Sequence, residues 1–150
     1  MSVQDNIIHI CDKEQLVEYI SSGCKPKKNW RIGTEHEKFA FDLQTLKPLP
    51  YHSSSGRADI RSLFECLQAY GWKAILEDGQ TVALSSPTLG SITLEPGGQV
   101  ELSGAPLRNL HLTRSEINTH LNQICSIANS MGVGFLGIGM APVWTREEIE

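Results

Sequence analysis

Trp30-Arg31-Ile32-Gly33-Thr34-Glu35-His36-Glu37-Lys38-Phe39-Ala40-Phe41-Asp42 is the stretch on which the fold turns. It follows a basic, proline-containing loop (Lys25, Pro26, Lys27, Lys28) and ends ahead of the turn-prone segment around Pro48 and Pro50, so residues 30–42 read as a strand. Side chains alternate along a strand, which puts Glu35 and Glu37 on one face, roughly 6.5–7 Å apart, beside Gly33, Phe39 and Phe41. Thr34, His36, Lys38 and Ala40 on the opposite face are poorer core residues than the two phenylalanines, so the glutamate face is expected to be the covered one. Two carboxylates that are partly desolvated repel each other unless a proton or a cation offsets them. A divalent metal is the natural solution.

Outward from this strand the chain alternates short helices and hairpins. Asp12 and Gln15 form a capping box for a helix over 12–22 with an apolar stripe of Leu16, Val17 and Ile20 and a stop at Gly23. Ile60, Leu63, Phe64 and Leu67 give a second helix within 57–70, closed by Gly71. Asp78-Gly79 joins strands 72–77 and 80–85, because both residues tolerate the positive φ of a tight hairpin turn. Pro96, Gly97 and Gly98 join strands 90–95 and 98–103, the longest helical pattern covers 109–131 ahead of Gly132, and 133–139 reads as a buried strand. With no βαβ repeat, the fold class is α+β, a mainly antiparallel sheet with flanking helices.

The second acidic constellation is Leu94-Glu95-Pro96-Gly97-Gly98-Gln99-Val100-Glu101-Leu102-Ser103, where two glutamates bracket a turn inside otherwise apolar strands. Read singly, Glu95 and Glu101 are ordinary outward residues of a hairpin. Together with Glu35 and Glu37 they make four oxygen donors near glycines, which suits Mg²⁺ and, with it, phosphate oxygens.

Other chemistries are poorly supported. Gly132-Val133-Gly134-Phe135-Leu136-Gly137 has the letters of a dinucleotide-binding turn, yet it follows a helix and enters a strand, so its glycines read as close packing. His36-Glu37 opens like a zinc-protease helix, but Ala40 stands where the second histidine is required. No phosphate-binding loop or nucleophile elbow occurs, and His9, His52, His111 and His120 read as surface or hydrogen-bonded histidines. The net charge of −4 and scattered basic residues exclude a nucleic-acid stripe and point to small-molecule partners, with a homo-oligomer left open. No apolar run reaches the length of a membrane span, and Met1–Asn6 carries no secretory leader pattern, so a cytosolic location is expected. Cys11, Cys24, Cys66 and Cys125 are far apart and read as free thiols; Thr145 to Glu150 resembles the start of a helix, suggesting a piece of a longer chain.

Three motifs in order, Arg31 to Phe41, Leu94 to Leu107 and Gly134 to Gly139, resemble the plant-type glutamate–cysteine ligase family. The similarity runs from about residue 30 to Glu150. It departs from the family pattern at Ala40 (usually glycine), Val100 (usually phenylalanine) and Met140 to Trp144, and none of these removes a carboxylate. The resemblance implies a glutamine-synthetase-like catalytic fold, of which residues 1–150 would be the N-terminal part and inactive alone. It also implies ATP and Mg²⁺ as cofactors, glutamate and cysteine as substrates, and a γ-glutamyl phosphate that the cysteine amine attacks, the first step of glutathione synthesis. By position, Glu35, Glu37, Glu95 and Glu101 would hold the metal. Gln99, two before Glu101 and on its face, is read as substrate-binding, as are Gly139 and Met140, the glycine-rich strand that they end lining the amino-acid pocket. A relative with another amine acceptor and a non-catalytic metal-binding fragment remain open alternatives.

Overall fold

The structure is a computed structural model that describes residues 9–95 and 97–148. The readings made on Met1–Asn6, on Pro96 and on the last two residues lie outside the described residues. The chain divides into two compact units, Met1–Trp30 and Arg31–Glu150.

In the first unit, α1 (Lys13–Ser22) starts at the expected capping box. Asp12 Oδ1 accepts from the Gln15 backbone at 2.8 Å, and Gln15 Oε1 accepts from the Asp12 backbone at 3.4 Å. Gly23 does not adopt the left-handed stop: its φ is −73° and α1 ends in a tightened turn onto Ile20 and Ser21. A short 3-10 turn (Lys27–Asn29) follows, and Trp30 Nε1 donates to the Lys25 carbonyl at 2.8 Å.

The second unit contains β1 (Glu35–Asp42), α2 (Ile60–Gln68), β2 (Lys73–Glu77), β3 (Gln80–Ser86), β4 (Gly90–Glu95), β5 (Gln99–Ser103), α3 (Leu110–Met131) and β6 (Val133–Leu136). The strands form one sheet in the order β2-β3-β4-β5-β1-β6, and every neighbouring pair is antiparallel. Asp78 (φ 49°) and Gly79 (φ 79°) make the β2–β3 hairpin turn as their sequence requires. Asp59 and Asn109 cap α2 and α3, accepting from the backbones of Ser62 and Leu112, and Gly132 closes α3 in the left-handed conformation at φ 68°. Two boundaries contract: β1 begins at Glu35, with Ile32 making only an isolated bridge to Leu107, and β6 stops at Leu136, so 137–139 leave the sheet.

Both helices pack on one sheet face. Leu84, Ile92, Val100, Leu102 and Val133 meet Ile60, Leu63, Phe64 and Leu67 of α2 and Ile124 and Ile127 of α3. Each such fully buried side chain contributes about 1.5–3 kcal/mol of hydrophobic stabilisation relative to exposure. The cross-strand register places Lys38 opposite Val100 and His36 opposite Leu102, so the helix-covered face of β1 carries His36, Lys38 and Ala40. This reverses the sequence expectation, which put the phenylalanine and glutamate face inward. The reason lies in α3, whose buried His120 stands edge-on to His36 of β1, on a helix that also buries Thr113, Glu116 and Gln123. Polar residues of β1 therefore find polar company there.

Lys38 is 3% exposed and donates through Nζ to the His36 carbonyl at 2.8 Å. Burial lowers its pKa to about 8, opposed by the nearby Glu101 charge. His120, expected at the surface or hydrogen-bonded, is 2% exposed, stands edge-on to His36 at 6.2 Å, and has no hydrogen-bond partner on either ring nitrogen. Desolvation first, then the charges of Lys38 and His36, lowers its pKa to about 3. Below pH 6.5 the unfolded chain takes up a proton at this position that the folded chain refuses. Stability should therefore fall as pH drops from 6.5 toward 3, by up to about 1.4 kcal/mol per unit for this one proton. Denaturant titrations across that window should show this slope, and His120→Phe should flatten it.

Candidate active site

The face turned away from the helices is organised in rows by the register. Glu37 lies opposite Glu101, Glu101 opposite Thr93, and Thr93 opposite Ala83. One row over, Phe39, Gln99 and Glu95 align; on the other side Glu35, Ser103, Ser91 and Ser85 align. Directly opposed residues in an antiparallel pair project to the same side, so all four predicted glutamates and Gln99 share this face. Like charges opposite one another, as Glu37 and Glu101 are, disfavour the pairing unless something compensates.

Glu35 and Glu37 are exposed, Glu95 is half-buried and Glu101 is 6% exposed. The desolvated carboxylate is thus Glu101, and not the β1 pair that its aromatic neighbours suggested. Ser103 Oγ donates to Glu101 Oε1 at 2.6 Å and Thr93 Oγ1 donates to Glu95 Oε1 at 3.3 Å. A hydrogen bond between the Glu95 and Glu101 side chains raises the Glu95 pKa, with desolvation and the charges of Glu101 and Glu37 acting the same way. Crowding of like charges favours the protonated form of Glu95 where no cation offsets them.

Glu37 is held differently: Gln99 Nε2 donates to its Oε2 at 3.0 Å and to the Ile138 carbonyl at 3.3 Å. Among the described residues no three carboxylate, imidazole or thiolate groups converge into a ready cation cage. The arrangement is Glu95 on β4 and Glu101 on β5 with a third carboxylate, Glu37, on the neighbouring strand β1. In donor chemistry it fits a hard cation, being all oxygen, with hydroxyls supporting two of the carboxylates.

Two open grooves flank Glu35. One of about 340 Å³ is lined by Gly33, Thr34, Glu35, Ser103 and Gly104; the other, of about 280 Å³, by Glu35, His36, Glu37, Gly137, Ile138 and Gly139. Gly139 therefore lines a groove together with Glu35 and Glu37. Met140 is 78% exposed, so it belongs neither to the core nor to the groove lining. Gly134 has the packing role read from sequence, since a Cβ there would collide with the Phe41 ring. Beyond the groove, the chain returns across β1: Trp144 stacks edge-on to Phe39 at 5.4 Å, its Nε1 donates to the Leu46 carbonyl at 2.9 Å, and Lys47 pairs with Glu148. Sequence reasoning missed this strap, although Trp144 beside a phenylalanine-bearing strand was a usable signal.

Residues 31–150 match the profile described as glutamate–cysteine ligase family 2 (GCS2). The chain belongs to that family. It is 49% identical over 138 residues to glutamate–cysteine ligase A, chloroplastic, of Oryza sativa subsp. japonica, covering 91% of this chain and 27% of the rice protein. The chloroplastic glutamate–cysteine ligases of Brassica juncea and Arabidopsis thaliana are each 46% identical over 137 residues, 91% of this chain and 26% and 25% of theirs. The chain thus spans about a quarter of the length of these curated relatives. Their names also overturn the cytosolic expectation, since all three are chloroplastic. The sequence test behind it sought the apolar core of a secretory leader, whereas plastid transit segments are Ser-rich, Arg-rich and lack one.

The raised pKa of Glu95 has a measurable consequence. For an acid whose pKa is raised on folding, the unfolded chain ionises first, so this group costs stability as pH climbs above its ordinary value of 4.5. Glu95→Gln should remove that cost and raise the melting temperature of the metal-free chain at neutral pH, as read by circular dichroism; an unchanged or lower value would contradict the raised Glu95 pKa.

Proposed function

We propose that this chain supplies the metal-binding platform of an ATP-dependent glutamate–cysteine ligase, acting in a plastid, with a glutamine-synthetase-like sheet and with 1–150 as the N-terminal part of one catalytic domain. The carrying observation is the register that gathers Glu37, Glu95 and Glu101 onto one sheet face. Membership in the ligase family and the similarity to named glutamate–cysteine ligases support the substrates, glutamate, cysteine and ATP.

Glu37, Glu95 and Glu101 would hold Mg²⁺, with Glu35 at the junction of the two grooves as a further oxygen donor. Bound there, the cation would neutralise phosphate oxygens of the nucleotide during phosphoryl transfer to the glutamate γ-carboxylate. The chain's own contribution is placement. Ser103 and Thr93 orient Glu101 and Glu95, so their oxygens are aimed before any ligand arrives. A bound cation would favour the ionised form of Glu95, whose pKa is raised, so binding would tighten as pH rises. Gly137 and Gly139 line the groove beside Glu37 with bare backbone, leaving room for an amino-acid substrate to approach closely.

Substituted for the matching segment of the rice enzyme, residues 31–150 should support phosphate release only when glutamate, cysteine, ATP and Mg²⁺ are all present. Release that does not depend on cysteine would overturn the acceptor assignment. Glu101→Gln in the same chimera should cut kcat/KM on the order of 100-fold or more, and retained turnover would exclude a catalytic-metal role for the platform.

A further inference from the structure

Gln99 spends one nitrogen on two partners. Its Nε2 donates to Glu37 Oε2 at 3.0 Å and to the Ile138 carbonyl at 3.3 Å. Both partners only accept, so the amide must turn its nitrogen toward them, and its two hydrogens suffice for both bonds.

The location gives these bonds their meaning. Gln99 sits on β5 between Glu95 of β4 and Phe39 of β1, in the row next to the one holding Glu37 and Glu101. Glu37 is exposed and faces Glu101, which is itself hydrogen-bonded to Glu95. An exposed glutamate has several rotamers, and repulsion from two neighbouring carboxylates favours those that swing it away into solvent. Gln99 is the donor that opposes this. Its second bond reaches the backbone between Gly137 and Gly139, which lines the 280 Å³ groove together with Glu37. One side chain therefore ties the carboxylate to the glycine segment.

We infer that Gln99 is a positioning residue, holding Glu37 against the Glu95–Glu101 pair and fixing the width of the groove between Glu37 and Ile138. This rests on the metal-platform reading and differs from the sequence expectation that Gln99 contacts substrate. A carboxylate left without such a partner has to be ordered at the moment a cation binds, and loss of supporting contacts of this kind costs about 10–100-fold in metal affinity.

The test uses the full chain with Mn²⁺ as the probe, free Mn²⁺ being read by electron paramagnetic resonance. Gln99→Met keeps the length and shape of the side chain and removes the donor. The expected result is an unchanged melting temperature with Mn²⁺ binding weakened about tenfold or more. A variant that binds Mn²⁺ as tightly as the unsubstituted chain overturns the positioning role while leaving the platform standing; an unsubstituted chain that binds no Mn²⁺ overturns both. A second measurement needs no variant at position 99. In ¹⁵N spectra the Gln99 side-chain amide protons should shift on titration with Mg²⁺, and the shift should vanish in Glu37→Gln. Amide resonances indifferent to Mg²⁺ would sink the proposal even if Gln99→Met failed to fold.

Discussion

Pairing of β1 with β5 in the register that sets Glu37 opposite Glu101 is the constraint on which the rest depends. A slip of one residue would exchange the two faces of β1, burying glutamates beneath α3 and turning Lys38 out. The register is held by what it buries: Val100 and Leu102 are fully enclosed against the helices, and strand alternation then leaves Gln99, Glu101 and Ser103 no choice but the open face. The apolar core thus selects the polar site indirectly. Side chains that contact no ligand decide which carboxylates meet.

Much of this was legible before any coordinates. The hairpin at Asp78-Gly79, the capping box of α1 and the stop at Gly132 follow from local backbone chemistry, which a sequence displays directly. The four glutamates and Gln99 could be assigned to strands by pattern, and alternation alone grouped Glu35 with Glu37. The choice of buried face was not legible, because it turned on α3. Nothing in residues 30–42 reveals that the covering helix brings a buried His120 against His36 and Lys38. The cross-strand meeting of Glu37 with Glu101 was hidden for a related reason, since it joins residues 64 positions apart through a pairing that no local signal encodes.

The end of the glycine segment failed for a different reason. Residues 133–139 have the composition of a buried strand, yet ladder pairing with β1 runs only from Val133 to Leu136. Past that point the chain needs to leave the sheet to reach the groove, and Gly137 and Gly139 permit it. Hydropathy reports what a segment would tolerate. It does not report where a neighbouring strand runs out.

The ammonium of Lys38 and the carboxylates of the open face lie on opposite sides of a single sheet, like the plates of a thin capacitor. Glu101 partly offsets the burial that depresses the lysine's pKa. Charge on one plate therefore sets the cost of charge on the other: neutralising the carboxylates makes the buried ammonium harder to keep, and the backbone layer between them carries that field from the solvent-facing surface into the core.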